Sequence, residues 1–162
     1  MTLQTKMATS VRIFTIGHGG LTLEEFLHRL QAHGITALAD VRRFPTSKKH
    51  PHFSRAILEM ALTDRGIAYY WLGETLGGYR TGGYEAHMKT EAFRHGCEEL
   101  IRVAQTQPLA FMCAELDYRG CHRRFIAAYL QQQGIEVWHI GRTGQLLAHV
   151  AAEPKQTLSI DF

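Results

Sequence analysis

No apolar run in the 162-residue chain approaches the ~20 residues needed to span a bilayer, and the N-terminal MTLQTKMATS lacks the apolar centre of a secretory signal. A cytoplasmic protein with no membrane partner is expected. Cysteine is scarce: Cys97, Cys113 and Cys121 cannot all pair with one another, and a reducing compartment keeps such residues as thiols. Low-complexity tracts are missing. Charge of neither sign dominates, since 18 Lys and Arg against 15 Asp and Glu leave +3, a lean towards anionic partners well short of a dedicated nucleic-acid binder.

What is present fits one well-packed domain: 45% of residues are hydrophobic and 20% charged, in a length too short for two comfortable domains. Residues 1–10 show no periodicity and read as a mobile tail, 11–150 as the domain, and 151–162 as a C-terminal extension. The clearest unit is Pro108 to Ile140. Pro108 to Ala114 is an apolar run of the length of a buried strand; Phe125, Ile126, Tyr129 and Leu130 mark one helical face; Gly134 supplies a left-handed stop, and Ile135 to Ile140 resumes as strand.

The rest of the chain repeats this alternation. Val11 to Ile16, Ile35 to Val41 and Ile67 to Leu72 read as strands. Thr22 with Glu25 forms a capping box before a helix whose stripe is Leu23, Phe26, Leu27 and Leu30. Ser54 is the N-cap candidate of a second helix expected to bury Ile57, Leu58, Ala61 and Leu62, and a third runs from about Thr90 to Ala104 with Phe93, Cys97, Leu100 and Ala104 on one face. Glycines 34, 66 and 134 each separate a helical pattern from an Ile-led strand, the pattern of a parallel α/β sheet. The expectation is therefore an α/β single-domain three-layer sandwich with a mostly parallel sheet of about five strands. Two loops interrupt it: the basic segment 42–55 and the glycine-rich segment 73–88.

In such a sheet the strand C-termini share one edge, where ligands bind. That gathers His18, Asp40, Arg42, Glu74, Cys113, Glu115 and Arg142, with Cys121, His122 and Arg123 at a helix start, where backbone N–H groups favour anions and lower a thiol's pKa. The strand order, and hence which of these touch, is not readable from the sequence.

The segments TIGHG (15–19), DVRRFP (40–45), FMCAE (111–115) and CHRR (121–124), in that order and spacing, resemble the bacterial family called domain of unknown function 488 over roughly residues 11 to 141. The resemblance implies an α/β fold and locates the site; it implies no activity. Cys113 to Arg119 also has the Cys-x5-Arg spacing similar to rhodaneses and cysteine phosphatases, but Glu115 and Asp117 depart from it, because their charges repel an oxyanion and raise a thiol's pKa.

Four readings of the site remain. In the first, a thiol-dependent hydrolase or transferase acts on an anionic or phosphate-bearing substrate: Cys113 or Cys121 attacks, His18, His122 or Glu115 moves protons, and Asp40, Arg42, Arg43, Tyr84 and Arg123 hold the substrate. In the second, Cys113, Cys121, His122 and His18 bind a metal, with Glu115 or Asp40 completing or orienting the ligands, although Cys-x7-Cys-His is no standard zinc spacing. The third is a nucleic-acid-binding module, in which Arg42, Arg43, Lys48, Lys49 and Arg55 meet phosphates and Trp71, Tyr79 and Tyr84 stack on bases. In the fourth the polar edge is a rigid network in a partner-binding protein: Cys113 is core, Asp40 and Arg42 an ion pair holding a loop, and Glu115 a partner for backbone donors. Cofactor and oligomeric state are not indicated by any of these residues.

Overall fold

Apolar residues alternate between two faces along each central strand, so the sheet is covered on both sides. A computed structural model describes residues 11–46 and 48–150; the expected tail at 1–10 and extension at 151–162 lie outside the described residues. Strands β1 (Arg12–Gly17), β2 (Ala37–Asp40), β3 (Ala68–Trp71), β4 (Leu109–Cys113) and β5 (Glu136–Ile140) are mutually parallel. The sheet has six strands instead of about five. A short β6 (Leu146–Ala148) turns back antiparallel on β5, giving the order β3-β2-β4-β1-β5-β6. Its three residues carry no periodicity of their own, so only pairing with β5 defines them as a strand.

On one face, α1 (Leu23–Ala32) and α2 (Arg55–Asp64) set Phe26, Leu27, Leu30, Leu58 and Leu62 against Phe14, Ile16, Leu38, Ala110 and Met112. On the other, α5 (Glu91–Ala104) and α6 (Arg123–Gln132) pack Phe93, Cys97, Leu100, Ile126 and Leu130 against the alternate strand residues Ile13, Ala39, Leu109, Phe111 and Val137. The three layers follow from this alternation, since successive strand residues point to opposite faces.

The local signals hold with two exceptions. Thr22 Oγ1 accepts from the Glu25 amide at 3.0 Å while Glu25 Oε1 accepts from the Thr22 amide at 2.9 Å, which satisfies two orphan donors of α1. Ser54 precedes α2 but does not cap it; its hydroxyl donates to the Pro51 carbonyl at 2.8 Å, closing the turn at Pro51–Phe53. Ile57 is 45% exposed, contrary to expectation, because α2 lies along the β3 edge of the sheet and only its Leu58–Leu62 line turns inward. The 73–88 segment is not irregular throughout: it contains two one-turn helices, α3 (Gly73–Leu76) and α4 (Tyr84–His87).

The chain leaves β1 through α1 on one face of the sheet and leaves β4 through α6 on the other, although β1 and β4 are neighbours. Their C-terminal loops therefore diverge and open a crevice above the Gly17–Cys113 pair. Gly17 allows the floor to close: a Cβ there would lie 1.8 Å from the Glu115 carbonyl oxygen. Gly17→Ala is accordingly expected to cost about 2–3 kcal/mol in urea denaturation, because the 114–116 backbone must move. A loss below about 0.5 kcal/mol would show that this approach is loose.

Candidate functional site

A cleft of about 1160 Å³ lies over that crevice, lined by His18 after β1, Arg42 and Arg43 after β2, Cys113 and Glu115 from β4, and Cys121 and His122 before α6. Gly78, Tyr79 and Tyr84 close one side, so the 73–88 segment bounds it. Arg119, Arg124, Arg142 and Lys49 add cationic groups, and Glu115 is the one carboxylate among the lining residues.

Arg123 organises the floor. It is 0% exposed, the largest fully buried side chain among the described residues. Its Nη1 donates to Thr15 Oγ1 at 2.8 Å, its Nη2 to the carbonyls of Glu115 at 2.7 Å and Leu116 at 3.1 Å, and its Nε to Cys113 Sγ at 3.2 Å. A guanidinium has a fixed fork of five donors, and here the fork joins the β1 strand, the β4 loop and the thiol pair. None of these partners is a carboxylate. Its own backbone N–H donates to Cys121 Sγ at 3.3 Å.

The two thiols are 2.8 Å apart and differ in environment. Cys113, 2% exposed, is held well above its ordinary range by burial, so it keeps its proton and donates to Cys121. Cys121 is lowered to about 6, first by that hydrogen bond from Cys113 and further by the charge and backbone N–H of Arg123, against an opposing contribution from burial. Cys121 also lies two residues before the first residue of α6, at the positive end of the helix. Cys97 packs in the core under α5, and burial raises its thiol.

Two imidazoles, those of His122 and His18, are lowered by burial and stay neutral. His122 donates Nε2–H to the Val41 carbonyl at 3.0 Å, which leaves Nδ1 as the acceptor on the side of Gly78. Burial lowers its pKa. His18 is buried, stacked on Phe53 at 4.4 Å, and lowered to about 4 by desolvation and then by the nearby Arg42 charge. Neither of its ring nitrogens has a hydrogen-bond partner among the described residues, and the same is true of Arg42 Nη1. Both side chains line the cleft.

Asp40 is fully enclosed and occupied by its own neighbours. Arg42 Nε and Nη2 reach its two oxygens at 2.8 and 2.7 Å, and the Tyr69 hydroxyl donates at 2.6 Å. It orients Arg42 and does not itself line the cleft. Tyr84 presents its ring to the cleft, 5.2 Å from the His122 ring, while its hydroxyl donates to the Leu76 carbonyl at 2.7 Å. The basic segment divides: Arg43 and Lys49 face the cleft, whereas Arg55 lies over Trp71 at 5.1 Å and is not among its lining residues.

Two sequence-based possibilities lose their geometry here. Cys113 and Arg119 form no oxyanion cradle, because Cys113 is buried, Arg119 forks onto Asp117 at 3.0 Å, and the amides of Arg119, Gly120 and Cys121 already donate within the loop. Among the described residues no group of three or more His, Cys, Asp or Glu side chains is placed to hold one metal ion. Sequence reading did not pick out the support beneath Arg123. Thr15 donates to His139 Nδ1 at 2.6 Å, His139 Nε2 meets His149 Nδ1 at 2.9 Å, and Tyr118 stacks on His139 at 3.5 Å. The available signal was a polar residue at an inward position of each of two central strands, Thr15 and His139, which turn out to be register partners.

Among the described residues no helix is long and apolar enough to cross a membrane. No curated protein and no solved structure matches the chain. One family model does, described as Domain of unknown function DUF488, over residues 22–130, a span that holds the DVRRFP, FMCAE and CHRR segments and more than half of the chain. The matched span holds most of the residues that line the cleft, with His18, Gly19 and Arg142 outside it, and the chain belongs to the DUF488 family.

Proposed function

We propose that the protein is a cytoplasmic thiol-dependent enzyme acting on an anionic, phosphate-bearing substrate, with Cys121 as the nucleophile. The observation that carries this reading is the pairing of Cys121 with a proton-donating Cys113 at 2.8 Å and the Arg123 amide at 3.3 Å, on the wall of a cleft whose charged lining is mostly cationic. A thiolate is the reactive form of cysteine, and these donors favour it. Cys113, buried behind it, acts as a positioning residue.

In this reading Arg42 Nη1 and one N–H of neutral His18 bind substrate oxygens, with Asp40 and Tyr69 holding Arg42 in place. Glu115 repels negative charge from the β4 side and so directs the anion towards Arg42 and Arg43. Cys121 Sγ bonds to the electrophilic centre as the bond to the leaving oxygen breaks, and that oxygen leaves with a proton from solvent. Water or an acceptor hydroxyl, its proton taken by His122 Nδ1, then displaces Sγ and restores the thiolate.

Alkylation of the intact chain by iodoacetamide, followed by peptide mass spectrometry across pH, tests the proposal. Cys121 is expected to react with a midpoint near pH 6. At pH 5.5 its rate should be about tenfold above that of an ordinary thiol of pKa ~8.5, the larger thiolate fraction outweighing its lower intrinsic nucleophilicity. Millimolar inorganic phosphate should slow the reaction, while Cys97 and Cys113 stay unmodified. A Cys121 as inert as Cys97 up to pH 9 would remove the nucleophile and the proposal with it.

A further inference from the structure

The rim of the cleft carries a feature that a bare oxyanion does not need. Phe44, after β2, is 62% exposed, and Tyr79, between α3 and α4, is 86% exposed; both line the cleft. Their rings meet at 38° with centroids 5.9 Å apart, an angled apolar corner open to a planar ring. Arg43 ties the corner together: its Nη1 donates to the Tyr79 carbonyl at 3.2 Å and its guanidinium lies over the Phe44 ring at 5.8 Å.

Tyr79 is held in place, not left to wave. Its φ of +60° is the left-handed region, unusual for a residue with a bulky side chain. Arg80 fixes the turn from inside, donating Nε to the Gly77 carbonyl at 2.8 Å and Nη2 to the carbonyls of Gly73 at 3.2 Å and Glu74 at 2.6 Å. Gly77 permits this close packing, since a Cβ there would lie 2.5 Å from the Gly73 carbonyl oxygen. The turn thus presents an aromatic ring to solvent in a prearranged position, which lowers the entropy cost of stacking on it. Gly78, the residue before Tyr79, lies against His122 Nδ1, so the corner and Cys121–His122 belong to one continuous surface.

We infer that the cleft takes a nucleotide unit, its base stacked in the Phe44–Tyr79 corner and its phosphate directed to Arg43 and to the unpartnered Arg42 Nη1 and His18. This deepens the proposed reading of the cleft as a site for a phosphate-bearing substrate and rests on it. Aromatic platforms beside a cationic groove are how proteins hold single nucleotides and unpaired strands, because every base has a π-face and every unit a phosphate. A free mononucleotide and a nucleotide within a single strand share that chemistry.

Binding to the full-length chain is measured by calorimetry for adenosine 5′-monophosphate, ribose 5-phosphate, inorganic phosphate and a single-stranded octanucleotide. The expected result is that the mononucleotide or the octanucleotide binds at least tenfold more tightly than ribose 5-phosphate. Phe44→Ala and Tyr79→Ala should remove that preference and leave ribose 5-phosphate binding unchanged, while Tyr79→Phe retains it. Both side chains are exposed, so folding should be intact in each variant, which circular dichroism checks. An octanucleotide bound a hundredfold more tightly than the mononucleotide, with affinity falling steeply in salt, identifies a strand as the source; equal affinities identify a free nucleotide. Equal binding of ribose 5-phosphate and both nucleotide probes overturns the inference while the anion site stands. If none of the four binds and none slows Cys121 alkylation, the inference and the reading beneath it fall together.

Discussion

Arg123→Met is expected to lower the unfolding free energy by about 3–5 kcal/mol, because it leaves Thr15 Oγ1, two carbonyls and the Cys113 thiol buried without the donor that serves them. The same substitution should move the midpoint of Cys121 alkylation upward by about one pH unit, as a positive charge next to the thiolate is removed. Urea denaturation and alkylation kinetics read the two effects separately. Arg123→Lys should recover part of the midpoint shift but little of the stability, since one ammonium cannot span the four acceptors that the guanidinium fork reaches. A large stability loss with an unchanged midpoint would make Arg123 a pin for the β4 loop and nothing more. The charge of Arg123 is buried without a carboxylate, and the thiol pair is what sits against it. Although burial opposes its charge, the neighbouring thiols raise its pKa overall, so guanidinium and thiolate favour one another.

Acid should destabilise the fold well before its carboxylates titrate. His18 is lowered to about 4 and His139 to about 3, each mainly by burial, against an ordinary value of 6.5. Below pH 6.5 the unfolded chain takes up protons at these two positions and the folded chain does not. Their contribution is therefore complete above pH 6.5, is lost progressively as pH falls, and levels off only below the folded values. At up to ~1.4 kcal/mol per unit for each group, with the unfolded histidine half protonated at pH 6.5, the interval from pH 6.5 to 4.5 removes about 2 kcal/mol per histidine. Urea denaturation at pH 7.0, 5.5 and 4.5 tests this. His139→Gln should flatten the slope by the one-histidine contribution, up to ~1.4 kcal/mol per pH unit, even if it lowers stability at pH 7. A stability constant down to pH 4.5 would mean that both rings find protonated partners in the folded state. Protonation of His139 also bears on the site, because its Nδ1 accepts from Thr15, whose oxygen in turn accepts from Arg123.

The chemistry of the cleft was largely present as residue types in the sequence, but its assignments were not. His18, Cys113, Cys121, His122 and Arg123 follow or precede strand and helix ends, and the C-terminal edge of a parallel sheet brings such positions together. Which thiol is exposed was undecided, and the structure separates the two by burial. Asp40 read equally well as a substrate group or as an ion-pair partner, and three short hydrogen bonds make it the latter. Phe44 belonged to a recognised segment without any stated role, and only the placement of Tyr79 across from it gives it one.

Periodicity and punctuation by themselves determined the layered α/β architecture. A 3.6-residue stripe and a two-residue alternation are local properties, and Gly34, Gly66 and Gly134 sit at φ of +70°, +75° and +86°, where glycine is favoured. The strand order, the sixth strand, the exposure of Ile57, the pairing of Cys113 with Cys121 and the Thr15–His139 support were decided by tertiary structure alone. Each depends on groups far apart in the chain, Thr15 and Arg123 being 108 residues from one another, and a contact of that range leaves no spacing in the sequence from which to read it. Its free energy exists only once the strands between have taken their places.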